Sequence, residues 1–410
     1  MKSSTLLIFP HFYTLLRTFF IGLAISTAQA DEHGFNPALS VVLNGGYTQA
    51  NQNANLYTLP GFQLGDEASP NLNGFAINET EINIQANIDP YWYGNLTIAL
   101  HQHGDNLELD LEEGYIRSTS FPAGTSVKAG RFFSGLGYLN HHHRHQWDFS
   151  DAPLVYRGLF NTQYLDDGLQ IRWVVPADLY WEIGMEAFSG RHFPAAGTGN
   201  HIGSLSLFSH LGGDINPAQS WQAGISYLGA KPSDRPGMLA THDHPDEHDH
   251  DHEADYLFSG HSDTLGLDAI WKWAPNGNAR TTQLTLQGEL YLRHENGTIA
   301  HENLFSSLNS HQQGAYIQAV YKFLPRWRAG WRFDYLHSHN QGSDEELLDE
   351  LLLDAHGFRP TQNTFMLDFS PSEFTLFRAQ YNHDHSNPTL NNIYQLQFIV
   401  NLGAHGAHAF

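Results

Sequence analysis

A run of imidazole and carboxylate side chains lies in the stretch THDHPDEHDHDHEADY, from Thr241 to Tyr256. Neutral imidazole binds zinc, copper and nickel, and carboxylate adds oxygen ligands. Because His-x-His in an extended segment points two rings to one side, the run offers many overlapping ligand pairs without a fixed geometry. It therefore predicts reversible, moderate-affinity binding of Zn²⁺; the alternative is a solvated polar loop. The predicted ligands are His242, Asp243, His244, His248, Asp249, His250, Asp251 and His252.

Two shorter histidine groups precede this run. The segment HHHRH places four histidines within five residues, and HQH places two more at an i, i+2 spacing. The same ligand chemistry makes both groups candidate metal ligands, although stacked histidines also serve to pack a loop. The candidate ligands in these groups are His101, His103, His141, His142, His143 and His145.

The composition narrows the possible functions. The chain of 410 residues has 20 Lys and Arg against 43 Asp and Glu, for a formal net charge of -23. This acidic excess argues against nucleic acid as a partner and favours cationic ligands. The absence of cysteine excludes disulfides, thiolate metal sites and cysteine nucleophiles, so any metal site must use histidine and carboxylate.

The first thirty residues are typical of a secretory signal peptide. Lys2 and Arg17 supply positive charge, the segment TFFIGLAIS is apolar, and Ala28-Gln29-Ala30 fits a cleavage site. The alternative, an uncleaved membrane anchor, is disfavoured because the apolar segment is short. We therefore expect residues 1–30 to be a signal peptide and residues 31–410 to form a single exported domain.

The rest of the chain contains segments of about ten residues in which apolar and polar side chains alternate. Clear examples are LELDLEEGYI, LQIRWVV, QLTLQGELYL and WRAGWRFDY. Alternation with a period of two, repeated in this way, is typical of a transmembrane β-barrel. The predicted fold class is therefore all-β, a transmembrane antiparallel β-barrel; a soluble jelly roll is the alternative.

The connections between these segments alternate between short and long. Seven are short and rich in Pro, Gly or Asn, near residues 89–90, 122–124, 176–178, 216–218, 275–277, 324–326 and 370–372. The eight between them are mostly longer and polar, near 50–72, 104–106, 134–166, 190–200, 231–256, 295–310, 338–358 and 384–390. Seven periplasmic turns and eight outer loops predict about sixteen strands, an even number as bacterial barrels require.

This topology assigns directions to the histidines and to the strand faces. Most histidines fall in outer loops or at outer strand ends, and His210 is one of four exceptions in the exported chain. Strand parity predicts a water-filled lumen with acids on the early strands and arginines on the later ones, giving either a transverse field or ordinary salt bridges. The predicted pore-lining residues are Glu79, Glu81, Glu108, Asp110, Glu112, Arg172, Glu289, Arg328, Arg332, Asp334 and Arg378.

The third outer loop, residues 134–166, is long and carries several aromatic residues. A long loop with apolar side chains on an open barrel is expected to fold inward and narrow the channel. At the other end of the chain, YQLQFIVNLGAHGAHAF alternates and finishes on Phe410. This ending is similar to the signal that the barrel-assembly machinery of Gram-negative bacteria recognises.

The stretches VKAGRFFSGLGYLN, HQWDFSDAPLVYRGLF and DDGLQIRWVVP resemble a family of Gram-negative outer-membrane porin-like proteins, often labelled zinc-regulated outer-membrane receptors. More distantly, the architecture is similar to that of sixteen-stranded phosphate-selective porins. The family label sometimes adds TonB-dependence, which implies a 22-stranded barrel with a plug. About 380 exported residues cannot supply both a 22-stranded barrel and a plug domain. The resemblance implies a porin of the cell outer membrane.

Together these features predict a passive channel for small solutes, with divalent ions such as Zn²⁺ concentrated by the His-rich loops. The alternative is a surface metal-binding or adhesion protein that uses the barrel as an anchor. We expect no enzymatic activity, because the sequence has no specific spacing of a catalytic nucleophile. We expect no obligatory cofactor, and Zn²⁺ is expected as a bound or transported ion. The expected partners are outer-membrane lipid and small solutes, and a homotrimer is the state common among such porins.

Overall fold

The computed structural model describes residues 37–103, 106–119, 121–197, 202–237 and 256–403. Within these ranges the chain is almost entirely β-structure, with two short α-helices, α1 (Leu154–Phe160) and α2 (Glu345–Glu350). No helix in the described residues combines the length and the hydropathy needed to cross a membrane.

Eighteen strand segments follow one another in the described part of the chain. Their bounds are β1 (Ala38–Ala50), β2 (Gly74–Ile77), β3 (Thr80–Asn87), β4 (Trp92–His103), β5 (Asn106–Ser118), β6 (Thr125–Phe133), β7 (Leu165–Val174), β8 (Tyr180–Phe188), β9 (Ser204–Asn216), β10 (Gln219–Ala230), β11 (Arg235–Gly237), β12 (Tyr256–Trp273), β13 (Gln283–His301), β14 (Leu304–Leu324), β15 (Trp327–Gly342), β16 (Thr361–Ser372), β17 (Thr375–His385) and β18 (Asn391–Gly403).

These segments close into a sixteen-stranded antiparallel barrel. The first and last segments pair directly, with Tyr47 opposite Leu396, which closes the ring. Both β2 and β3 pair with β1, at different parts of it, so they form one barrel strand with a break at Asn78–Glu79. The short β11 extends the sheet beside β12. Counted in this way, the described segments give the sixteen strands that the sequence predicts.

The outward face of the barrel is apolar along the strands. Alternate residues on neighbouring strands, such as Leu265, Leu290 and Ile317, are exposed to the outside, and the residues between them face inward and are buried. Exposed aromatic residues gather at the inner ends of the strands: Tyr91, Tyr180, Trp181, Trp273, Tyr321, Phe323 and Phe374. An apolar band with an aromatic girdle is what a barrel presents to lipid.

Six of the seven predicted short turns fall at or next to the observed ones, and the seventh is displaced. The turn predicted at 370–372 lies at 373–374, because a register shift near Ser372 extends β16 past Pro371. One predicted outer loop is wrong. Residues 295–310 belong mainly to the long strands β13 and β14, which are joined by Glu302 and Asn303 alone. The outward side chains at the outer ends of these two strands are polar, so the local sequence resembles that of a loop.

Loop 3 (residues 134–164) enters the barrel and packs against the inward face of the wall. All seven residues of α1 are buried. Its Tyr156 and Leu159 belong to a fully buried cluster that includes Leu336 of β15 and Tyr291 of β13. Leu59 and Phe62, from loop 1 (residues 51–73), complete the cluster. The two loops therefore give the barrel a hydrophobic core of its own, on the inside of the wall.

Candidate metal centre

A β-bulge on β5 turns two consecutive glutamates toward the lumen. The register between β4 and β5 shifts so that Thr97 faces Glu113 while Ile98 faces Leu111, which leaves Glu112 as the extra residue. A bulge places one additional residue on a strand and re-aims the side chains beside it. Here both Glu112 and Glu113 are buried on the inside, although strict alternation would send one of them outward.

The break between β2 and β3 contributes two more carboxylates. Glu81 follows the break and is buried at 3% exposure, directly across the sheet from Ala99 of β4. Glu79 lies in the break and pairs with Arg144 of loop 3 at 3.1 Å. Four glutamates from two strands therefore converge on one patch of the inner wall.

His143 of loop 3 lies among these glutamates. Its Nδ1 is 3.2 Å from Glu81 Oε2 and 3.2 Å from Glu112 Oε2, and its Nε2 is 3.3 Å from Glu113 Oε2. His145 stacks on the same ring, with centroids 5.7 Å apart, and its Nδ1 contacts Glu81 Oε1 at 2.6 Å. The loop thus delivers two imidazoles to the carboxylate patch.

Glu81, Glu112 and His143 are close enough together to be candidate ligands of one metal ion. One donor atom from each of the three lies within 4.8 Å of the other two, and His143 Nδ1 is 3.2 Å from both carboxylates. Zinc takes such ligands at about 2.0–2.2 Å in a tetrahedral arrangement, which puts neighbouring donor atoms about 3.4 Å apart. Within the described residues this is the one group of three or more potential ligands that lie within 4.8 Å of one another.

Glu113 and His145 stand where supporting residues of a metal site are found. A histidine ligand usually donates its second ring N–H to a carboxylate, which fixes the ring and its tautomer. If Nδ1 of His143 held a metal ion, its Nε2–H would donate to Glu113, which lies 3.3 Å away. Glu113 is itself held by the backbone N–H of Phe133 at 3.3 Å, and His145 holds the second oxygen of Glu81. The site therefore has both ligands and a second layer of contacts.

The electrostatics divide the four loop histidines into two pairs. Burial alone would lower the pKa of His143, but Glu81 and Glu112 outweigh it and raise that pKa well above its ordinary value. Burial lowers the pKa of His142 to about 4. Burial, together with the imidazoles of His142 and His210, also lowers the pKa of His141 well below its ordinary value. His143 and His145 contact carboxylates, whereas burial dominates the electrostatics of His141 and His142.

The remaining predicted acids of the lumen occupy different environments. Glu108 and Asp110 lie on β5 beyond the bulge, toward its outer end, and are exposed. Glu289 is buried and accepts hydrogen bonds from the hydroxyls of Tyr156, Tyr291 and Tyr316 at 2.6–2.8 Å. Glu289 therefore anchors α1 to the wall.

The inward arginines are paired with carboxylates. Arg172 pairs with Glu182 at 2.8 Å on the adjacent strand β8. Arg332 pairs with its own-strand neighbour Asp334 at 2.8 Å. Three further acids bind the later arginines: Asp368 of β16 pairs with Arg328 and Arg378, Asp148 of loop 3 with Arg328, and Asp151 of loop 3 with Arg332. The sequence predicts either a transverse field or ordinary salt bridges among the lumen charges. The structure shows salt bridges for these arginines.

Several other predicted metal ligands lie outside the described residues. His101 and His103 end β4, but their side chains lie outside the described residues, as does the whole run His242–His252 with its aspartates. The outer ends of β13 and β14 place His294 directly opposite His311, with rings stacked at 4.6 Å on the outward face. That pair points away from the lumen.

Sequence reasoning missed Glu113, Asp148, Asp151 and Asp368 as partners in the lumen. Glu113 was hidden by the bulge, since alternation alone assigns it to the lipid face. Parity would have placed Asp368 inward, because it lies opposite the inward Arg378 on the neighbouring strand. The two loop aspartates could be assigned only once the loop was seen to fold inward.

Comparison with known proteins supports the architecture. No family model matches the chain. An uncharacterized protein of Aquifex aeolicus is 28% identical over 364 residues, which is 82% of this chain and 70% of that protein. The outer-membrane channel DcaP of Acinetobacter baumannii covers 92% of the chain with a TM-score of 0.55 and 11% identity, and all of DcaP is matched.

Two further solved structures agree with this fold. An anion-selective porin from Comamonas acidovorans covers 90% of the chain, and is itself fully covered, with a TM-score of 0.50 and 10% identity. The outer-membrane protein OmpT of Vibrio cholerae, in a trimer form, covers 90% of the chain and is 99% covered, with a TM-score of 0.50 and 8% identity. At these identities the likeness concerns the fold.

The closed barrel, its apolar outer band and these neighbours define the class. The protein is a porin-like β-barrel of the Gram-negative outer membrane.

Proposed function

We propose that this protein is a passive outer-membrane channel for small solutes, and that divalent metal ions such as Zn²⁺ are its principal cargo. The observation that carries the proposal is the group Glu81, Glu112 and His143, which lies inside the barrel with ligand-like separations. Its mixed nitrogen and oxygen donors suit zinc better than calcium or magnesium, which prefer oxygen alone. The His-rich outer segments would raise the local concentration of the same ion.

The site has the properties that passage requires. An ion in a channel must bind well enough to enter and weakly enough to leave. The Nδ1 of His143 already contacts both carboxylates, so an arriving ion must displace that contact, and any proton on Nδ1, before all three groups can bind it. Competition of this kind weakens net binding without removing selectivity.

The test is zinc entry into liposomes that contain the purified protein and an internal zinc-sensitive dye. We expect zinc influx above that of protein-free liposomes, and a marked loss of influx at low zinc for Glu112→Gln. Glu302→Gln is the matched control, because it removes the same charge at an exposed position in the hairpin tip between β13 and β14, away from the proposed site. Equal influx for the two variants would show that the centre does not handle the transported ion.

The same preparation tests the alternative of a barrel that only anchors a surface metal-binding or adhesion protein. Planar-bilayer recordings should show discrete conductance steps if the lumen conducts ions. A protein that binds Zn²⁺ but produces no steps would favour the anchor. The proposal assigns no enzymatic activity to the chain.

A further inference from the structure

Three residues on neighbouring strands form a row on the inner wall, away from the centre described above. His210 of β9 lies opposite Gly224 of β10, and Gly224 lies opposite Asp268 of β12. His210 and Asp268 both point inward and are buried, at 4% and 5% exposure. Strands in a sheet are about 4.8 Å apart, so two side chains two strands apart meet only if nothing stands between them.

Gly224 leaves that space open. A Cβ atom at this position would lie 2.3 Å from Asp268 Oδ2 and 2.4 Å from His210 Cδ2, closer than real side chains approach. Because the glycine has no side chain, the imidazole and the carboxylate lean over it from both sides. The result is a small polar cradle, with His210 Nε2 3.7 Å from Asp268 Oδ2.

The polar atoms that face this cradle have no hydrogen-bond partner among the residues that the structure describes. These atoms are His210 Nε2 and both carboxylate oxygens of Asp268, and all three are buried. Buried polar atoms in native proteins are nearly always satisfied by protein, by ordered water or by an ion. The 3.7 Å separation is too long for the imidazole and the carboxylate to satisfy each other.

One tautomer of His210 fits this gap. The backbone carbonyl of Gly137 in loop 3 lies where it can accept a hydrogen bond from the imidazole. Since Nε2 has no partner, we assign that bond to Nδ1–H, which leaves a lone pair on Nε2 in the neutral ring. A lone pair and a carboxylate facing each other at 3.7 Å are arranged as two ligands of one cation. A backbone carbonyl behind the histidine is the usual support for such a ligand.

The neighbouring carboxylate of Glu289 does not compete for this role. Glu289, on the adjacent strand β13, lies directly opposite Asp268 in the sheet, but its oxygens are taken by three tyrosine hydroxyls and the backbone N–H of Leu139. Asp268 therefore supplies the open acceptor, and His210 supplies the open nitrogen.

We propose that His210 and Asp268 form a second cation site in the lumen, built across Gly224 and suited to a divalent ion of the zinc class. Two protein ligands leave further positions for water, as expected of a site that exchanges its ion readily. The choice of zinc rests on the proposed function, whereas the existence of the site rests on the cradle. Both lumen sites lie near the middle of their strands, and loop 3 contacts both.

The test is crystallography of the full-length protein soaked in zinc, with anomalous data collected on both sides of the zinc edge. We expect an anomalous peak between His210 Nε2 and the carboxylate of Asp268. A soak that places zinc at Glu81, Glu112 and His143 but leaves the cradle empty would overturn this inference and leave the proposed function standing. A peak in the cradle, from a protein that admits no zinc into liposomes, would support the second site and overturn the proposed function.

Variants give a second measurement in solution. Asp268→Asn and Gly224→Ala should each lower the number of zinc ions bound per chain by one in calorimetric titration, the first by removing a ligand and the second by filling the cradle. Gly94→Ala is the control, because its added Cβ would meet only the flexible side chain of Ile88, at 3.3–3.5 Å. If a variant fails to fold, His210→Gln replaces it. Unchanged stoichiometry in a folded variant would refute the site.

Discussion

Arg332 of β15 holds loop 3 through Asp151, with Nη2 3.2 Å from Asp151 Oδ1 and Nη1 donating to the Asp151 carbonyl at 2.9 Å. The same carboxylate accepts hydrogen bonds from Gln362, Gln380 and Asn382, on two further strands. One loop side chain is thus bound by three strands of the wall. The loop is held in the lumen by a buried ionic contact as well as by apolar packing.

Asp151→Asn should therefore release loop 3 from the wall. The substitution leaves Arg157 buried without its partner charge and removes one of the two carboxylates that Arg332 contacts. Removing one partner of a buried ion pair typically costs about 3–5 kcal/mol. We expect larger single-channel conductance and faster proteolysis within the loop. Asp148→Asn is the matched control, since its partner Arg328 is 28% exposed and the cost should be smaller. Identical conductance in both variants and the wild type would show that the loop does not limit the channel.

Acid should have the same effect as this substitution. Burial alone would raise the pKa of Asp151, but Arg332 and Arg157 outweigh it and lower that pKa below its ordinary value. The stabilisation it provides is then fully present above the unfolded pKa of about 3.9 and is lost as pH falls through the lower folded value. Conductance recorded from pH 7 downward should stay level until about pH 4 and then rise. Asp151→Asn should lack this step, and a step of equal size in that variant would assign it to other carboxylates.

The open lumen should prefer cations. The inward arginines Arg328, Arg332 and Arg378 are all paired with aspartates, whereas Glu108 and Asp110 are exposed on the early strands. A reversal potential measured across a bilayer under a salt gradient should therefore have the sign of cation preference. The double variant Glu108→Gln with Asp110→Asn should reduce it. Clear anion preference would point to the arginines as the selective element.

Removal of residues 241–253 should lower zinc stoichiometry with little change in conductance. This prediction rests on the sequence alone, because the run lies outside the described residues. The run offers many overlapping ligand pairs, and fixing the backbone around a bound ion costs about 1–2 kcal/mol per residue, so we expect each ion to bind reversibly. Calorimetric titration compares the deletion with the wild type, and a variant of the same length with the five histidines changed to Asn is the control. Equal stoichiometry in all three would identify the run as a spacer.

Much of the architecture could be read from residue alternation and turn chemistry. The sixteen strands follow from the turn and loop pattern, and inward parity is correct for residues as far apart as Glu81 and Arg378. Parity fails at Glu113, where a bulge inserts one residue, because nothing in LELDLEEGYI marks which residue is extra. Bulges depend on the pairing partner, which the local sequence does not contain.

The candidate sites illustrate the same limit. The histidines at 141–145 stand out by composition, but their division between two environments depends on how loop 3 crosses the lumen. The pairing of His210 with Asp268 requires the register of β9, β10 and β12, fixed residue by residue across Gly224. A long-range register of this kind is set by the whole closed sheet.

The unequal lengths of the strands determine which part of the protein faces the surroundings of the cell. β14 has 21 residues and β13 has 19, whereas β6 and β8 have nine each. At about 3.4 Å per residue and a tilt near 40°, the difference raises one side of the rim by about 30 Å. The described wall is therefore taller at β13 and β14 than at β6 and β8. We expect the hairpin tip at Glu302–Asn303 to be accessible at the cell surface to a phage or an antibody.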